Sequence, residues 1–124
     1  MKICTKRAQR LSFVRDRHIP GSPVVDGFGA GPGRWGVCTA HAVAEYPIAA
    51  QAQNAETVVV PAGAPGDDQA YGHDMAAFGR SLREDVALIF IANPNNPTGT
   101  WVEPQAIEEF LTQVPPQVVV ALDE

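Results

Sequence analysis

Three features of the 124-residue sequence predict an α/β fold, a three-layer α/β/α arrangement around a mainly parallel sheet. Strand-like and helix-like stretches alternate from residue 36 onward. Two runs, Val86–Ala92 and Val118–Leu122, are apolar at every position, which marks strands buried on both faces. A helix-like stretch separates each strand from the next, as the crossovers of βαβ units require.

The elements follow in order. "VCTA" reads as a short strand, and "AEYPIAAQAQNA" as an Ala-rich helix with Pro47 in its first turn, where a missing N–H costs nothing. "ETVVVPA" is a β-branched strand ended by Pro61, and "GAPGDDQAYGHD" is a loop. "DMAAFGRSL" is a short helix that Asp74 caps, with Met75, Phe78 and Leu82 on one stripe. "EPQAIEEFLTQV" is the crossover between the two apolar runs, with Pro104 near its start and Ile107, Phe110 and Leu111 on one face.

Residues 1–35 read differently. "HIPGSPVVDGFGAGPGRWG" is a glycine- and proline-rich loop, and six of the nine basic residues stand in the first 20 positions. A transit peptide is one reading of that basic start. A solvated tail is preferred, because no amphipathic period is sustained. Gly27, Gly29, Gly31 and Gly33 alternate without the spacing of a phosphate loop, and no Lys-Ser/Thr follows. The organisation expected is therefore residues 1–35 as a poorly matched segment and residues 36–124 as the folded part.

A net charge of −5 argues against general nucleic-acid binding. No apolar run reaches membrane-spanning length and no signal-peptide core is visible, so no membrane partner and a cytoplasmic location are expected. Cys4 and Cys38 lack ligand spacing and read as free thiols; His18, His41 and His73 are scattered, and no metal site is expected.

Chemistry is expected beyond the carboxyl ends of the strands, where ligands bind in open parallel sheets. Two polar clusters fall there: "NPNNPTG" after Val86–Ala92, and "DE" after Val118–Leu122. On adjacent strands they deliver an amide, Asn96, and a carboxylate, Asp123, to one rim. A flat cationic heteroaromatic ring suits that pair: Asp123 holds a ring N–H⁺ and Asn96 donates to a ring oxygen. Pro94 and Pro97 stiffen the loop, and Gly99 permits close backbone approach. The plain alternatives are a turn-forming asparagine that bonds its own backbone and a solvated strand-end acid.

"YPIAAQAQNAETVVVPA", "YGHDMAAF", "LIFIANPNNPTGTW" and "FLTQVPPQVVVALDE" together resemble the class I/II aminotransferases of the fold-type I pyridoxal-phosphate group, and within it the histidinol-phosphate aminotransferases. The resemblance spans residues 36–124. It implies part of a large domain of that fold, the cofactor pyridoxal 5′-phosphate, small amino-acid and keto-acid substrates, and a homodimeric family. Asn96 matches the residue that bonds the ring hydroxyl oxygen, across an Asn96–Pro97 peptide that is often cis. Asp123 matches the acid that pairs with the pyridinium nitrogen. The implied reaction is amino transfer from glutamate to imidazole-acetol phosphate, in histidine biosynthesis. A threonine-phosphate decarboxylase, an aromatic aminotransferase and a non-catalytic remnant stay open as alternatives.

Departures from the family pattern are plain. Val43 stands where an aromatic that stacks on the ring is expected; Tyr46 matches a neighbouring family tyrosine, but the preferred reading is a helix-start residue packing on the core. "RWG" (Arg34–Gly36) replaces an acidic turn, and "GSPVVDG" (Gly21–Gly27) shares only two letters with the phosphate-binding turn. The family's tyrosine, lysine and arginine beyond the Asp-Glu pair are not in the sequence, whose only lysines are Lys2 and Lys6. The expectation is a fragment, inactive alone, with no catalytic residue assigned. Its last strand, left as an apolar sheet edge, is expected to drive association.

Overall fold

The computed structural model describes the backbone of residues 2–5 and 10–13, and residues 32–123. Among them the strands are β1 (Lys2–Thr5), β2 (Arg10–Phe13), β3 (Trp35–Thr39), β4 (Glu56–Val60), β5 (Val86–Ala92) and β6 (Val119–Asp123). The helices are α1 (Glu45–Ala52), α2 (Met75–Arg80) and α3 (Pro104–Gln113). Lys6, Arg7, Arg15, Arg17, His18, the glycine run up to Gly31 and the Gly21–Gly27 stretch lie outside the described residues.

One six-stranded sheet runs in the order β2-β1-β6-β5-β3-β4. The four strands from β3 to β6 are parallel, and α1, α2 and α3 are their crossovers. Every residue of β5 is buried, as its unbroken apolar run requires of a strand covered on both faces. On one face Tyr46 and Ala49 of α1 pack with Cys38, Leu88, Phe90, Val119 and Ala121. On the other, Phe78 of α2 and Phe110 of α3 pack with Val37, Ile89, Ile91 and Val120. Side chains alternate across a strand, so neighbouring residues of β5 feed opposite cores. This is the three-layer α/β/α arrangement.

Local signals account for the helix limits. Asp74 caps α2 by accepting from the Ala77 N–H at 2.9 Å. Pro104 occupies the first turn of α3, and Pro47 the first turn of α1.

The beginning of the chain corrects the sequence reading. Lys2–Thr5 and Arg10–Phe13 form an antiparallel pair rather than a solvated tail, and β1 lies antiparallel along β6, from Lys2↔Leu122 to Thr5↔Val119. A strand flank carries a row of donors and acceptors that must be satisfied, and a nearby extended segment answers that need whatever its charge. The last strand is therefore not a sheet edge, and the association expected from it loses its basis. The edges are β2 and β4.

Candidate functional site

β5 and β6 are direct neighbours in parallel register, with Leu88 opposite Val119 and Ala92 opposite Asp123. The asparagine loop and Asp123 therefore stand at one rim of the sheet. The Asn93 N–H donates to the Asp123 carbonyl at 2.7 Å, continuing the ladder one step into the loop.

Within "NPNNPTG" the three asparagines divide their work. Asn93 is buried and clamps Val102: its Oδ1 accepts from the Val102 N–H at 2.8 Å and its Nδ2 donates to the Val102 carbonyl at 2.9 Å. Asn95, 1% exposed, donates from Nδ2 to the His41 carbonyl at 3.1 Å and to the Thr98 hydroxyl at 2.8 Å. Asn96 is exposed, and its amide bonds none of the described residues. The bonds that close the loop thus belong to its neighbours, and of the three asparagines Asn96 is the exposed one whose amide bonds none of the described residues.

The Asn93–Pro94 and Asn96–Pro97 peptides are both cis. Gly99 has φ +70°, a left-handed conformation that favours glycine, and its N–H donates to the Asn95 carbonyl at 2.7 Å. A Cβ there would meet no protein atom. Within the protein, backbone conformation is therefore what favours this glycine.

Asp123 is half-buried and is not a solvated strand-end acid. Its Oδ2 accepts from the Tyr46 hydroxyl at 3.0 Å. Its Oδ1 has no partner among the described residues. Tyr46 is 1% exposed and lies flat on Phe90, with ring centroids 4.6 Å apart and planes at 6°. Burial first, then the charge and hydrogen bond of Asp123, push the Tyr46 phenol far above its ordinary range, so it stays a neutral donor. Sequence reading assigned Tyr46 to the core, and it is there. It missed the hydroxyl's reach to Asp123, which depends on register between elements 77 residues apart.

Val43 is half-buried and packs on the same core face as Tyr46, so an aliphatic side chain stands where the family pattern has an aromatic ring. Two more polar atoms near this rim, Asn95 Oδ1 and Thr39 Oγ1, are buried without a partner among the described residues. Cys38 is a free, buried thiol whose pKa burial pushes up to about 11, which leaves it protonated and poorly nucleophilic.

His73 was also missed. Its Nε2 lies 2.7 Å from the carbonyl of Ala92, the last residue of β5, and its ring sits edge-on to Phe78. The neutral ring with its proton on Nε2 makes this bond, while Nδ1 is buried with no partner among the described residues. Burial lowers the pKa from 6.5, outweighing the opposing effect of the bond to Ala92. The unfolded chain thus binds a proton at His73 more readily than the folded one, so stability is lost as pH falls below about 6.5. His73→Gln, which keeps a donor, is expected to remove this component. Urea unfolding of both proteins between pH 8 and pH 5 measures it, and parallel curves would refute the assignment.

The loop that carries Asn96 and the strand end that carries Asp123 are thus neighbours, an amide and a carboxylate of the chemistry that suits a protonated pyridine ring and its hydroxyl. Among the described residues, no helix is long and apolar enough to cross a membrane.

A family model described as "Aminotransferase class I and II" matches residues 40–124. Among curated proteins, a histidinol-phosphate aminotransferase of Stutzerimonas stutzeri is 51% identical over 96 residues, covering 77% of this chain and 24% of that protein. Histidinol-phosphate aminotransferase 2 of Pseudomonas aeruginosa PAO1 is 47% identical over 93 residues, covering 75% of this chain and 24% of that protein. The chain spans about a quarter of the length of these relatives. Among solved structures, cystalysin from Treponema denticola, described as containing a pyridoxal 5′-phosphate cofactor, superposes with a TM-score of 0.66. That match has 15% identity and covers 81% of this chain and 25% of that one, a likeness of fold.

Proposed function

The chain belongs to the class I and II aminotransferase family, and from that premise we propose that residues 36–124 supply the ring side of a pyridoxal 5′-phosphate site. The whole protein would transfer the amino group of glutamate to imidazole-acetol phosphate, in histidine biosynthesis. The observation that carries the reading is the pairing of Ala92 with Asp123, since it brings the asparagine loop and the acid to one rim. The histidinol-phosphate relatives, 51% and 47% identical, favour this substrate over those of other fold-type I enzymes.

Pyridoxal phosphate, when bound, supplies an electron-accepting ring that allows an amino group to pass between carbon skeletons. In this reading the chain's own residues do three things. Asp123 keeps a proton on the ring nitrogen through a charge-assisted hydrogen bond. Asn96 donates its amide to the ring hydroxyl oxygen, and Val43 covers part of one ring face. Lys2 and Lys6, the only lysines of the sequence, match no motif, so no covalent attachment of the cofactor is assigned to this chain.

Equilibrium dialysis of the chain against pyridoxamine 5′-phosphate, which needs no lysine, tests the ring site. Saturable binding is expected. Asn96→Ala should weaken it by roughly 2- to 13-fold, for one hydrogen bond of about 0.5–1.5 kcal/mol. Absence of saturable binding to the unaltered chain would refute the site. The substrate is tested by exchanging residues 36–123 into the Stutzerimonas stutzeri relative. A chimera that folds and binds pyridoxal phosphate but no longer converts histidinol phosphate would refute that assignment.

A further inference from the structure

We infer that Tyr46 is a positioning residue, whose hydroxyl fixes the Asp123 carboxylate so that Oδ1 alone is offered to a cationic ring at the rim. The inference deepens the proposed function and rests on it for the identity of the ring.

The geometry forms a chain of constraints. Phe90 of β5 lies opposite Ala121 of β6, and Asp123 follows two residues later on the same face of the strand. The Tyr46 ring, stacked on Phe90 at 4.6 Å, therefore lies along the face on which Asp123 projects. Burial on α1 and the stack with Phe90 together leave the phenol little freedom to swing. Its hydroxyl reaches Asp123 Oδ2 at 3.0 Å. A strand-end carboxylate without such a partner samples several rotamers, and a ligand that needs one of them must select it at an entropic cost. Tyr46 has settled that selection in advance. As a neutral donor it also leaves the net negative charge of Asp123 for the ring.

Tyr46→Phe keeps the stack and removes only the donor. In the unaltered, ligand-free chain, three-bond couplings to the Asp123 side-chain carboxyl carbon are expected to report one χ1 rotamer, and in Tyr46→Phe an average. An Asp123 as fixed in Tyr46→Phe as in the unaltered chain overturns the inference. With ¹⁵N-labelled pyridoxamine 5′-phosphate as the probe, Tyr46→Phe should weaken binding by roughly 2- to 13-fold, the range of one hydrogen bond. It should also move the bound ring nitrogen signal toward the unprotonated position at fixed pH. An unmoved nitrogen signal overturns the role toward the ring, since a merely structural tyrosine would not affect it. Should Tyr46→Phe fail to fold, Asp123→Asn gives the reciprocal readout: the Tyr46 phenol, freed of a neighbouring charge, should ionise at lower pH, and an unchanged titration overturns the pairing. A rotamer lock released by Tyr46→Phe upholds the clamp even if the unaltered chain takes up no pyridoxamine phosphate, a result that overturns the proposed function alone.

Discussion

Asp123→Asn is expected to lower the affinity of the chain for pyridoxamine 5′-phosphate by roughly 10- to 150-fold, the equivalent of about 1.5–3 kcal/mol for a hydrogen bond to a charged group. The substitution preserves shape. An asparagine oxygen can still accept from the Tyr46 hydroxyl, as Asp123 Oδ2 does at 3.0 Å, so the side chain should stay in place. The atom turned toward the ring then becomes an amide NH₂, a donor facing a protonated ring nitrogen that is itself a donor. The ring must shed its proton or leave. The loss should therefore be greatest where the free ligand is protonated at that nitrogen, and should shrink as pH rises through the ligand's own pKa. Dialysis at several pH values measures both the loss and its trend. A variant that binds as tightly as the unaltered chain would remove Asp123 from the site.

The parts of this fold that were legible in the sequence are those set by burial and local chemistry. Val86–Ala92 is apolar throughout because both faces of β5 are covered, and no half-exposed strand keeps such a run. The Asp74 cap was legible because the bond to Ala77 spans only three residues. Long-range pairing was not. Nothing in "KICT" or "RLSF" announces that β1 flanks β6, since the backbone groups that bond are the same in every residue. The site divides along the same line. The rim and its two polar clusters followed from strand order, whereas Tyr46 looked like a core residue because its ring is one. Only the register of β5 on β6 shows that its oxygen ends beside Asp123.

The three asparagines of the loop could not be told apart by composition, and they should respond to substitution in opposite ways. Asn93→Ala is expected to destabilise the fold by about 2–6 kcal/mol, since two buried backbone groups lose their partners at about 1–3 kcal/mol each. Those groups are the N–H and carbonyl of Val102, held at 2.8 and 2.9 Å by a residue nine positions earlier, and Val102 is buried where water does not replace them. Asn96→Ala removes no bond to the described residues and should change stability by no more than about 0.5 kcal/mol. Under the proposed function its effect falls on ligand binding. Urea unfolding midpoints for the two variants, set beside their affinities for pyridoxamine phosphate, separate the roles. If Asn96→Ala proved the more destabilising, its amide would be bonded inside the loop and would not be available to a ring. If Asn93→Ala left the midpoint unmoved, the clamp on Val102 would not be what closes the loop. The arrangement also explains the residue types. A buried side chain that must both donate to and accept from the backbone of one distant residue needs an amide. The loop can leave Asn96 free only because Asn93 and Asn95 already satisfy its internal bonds.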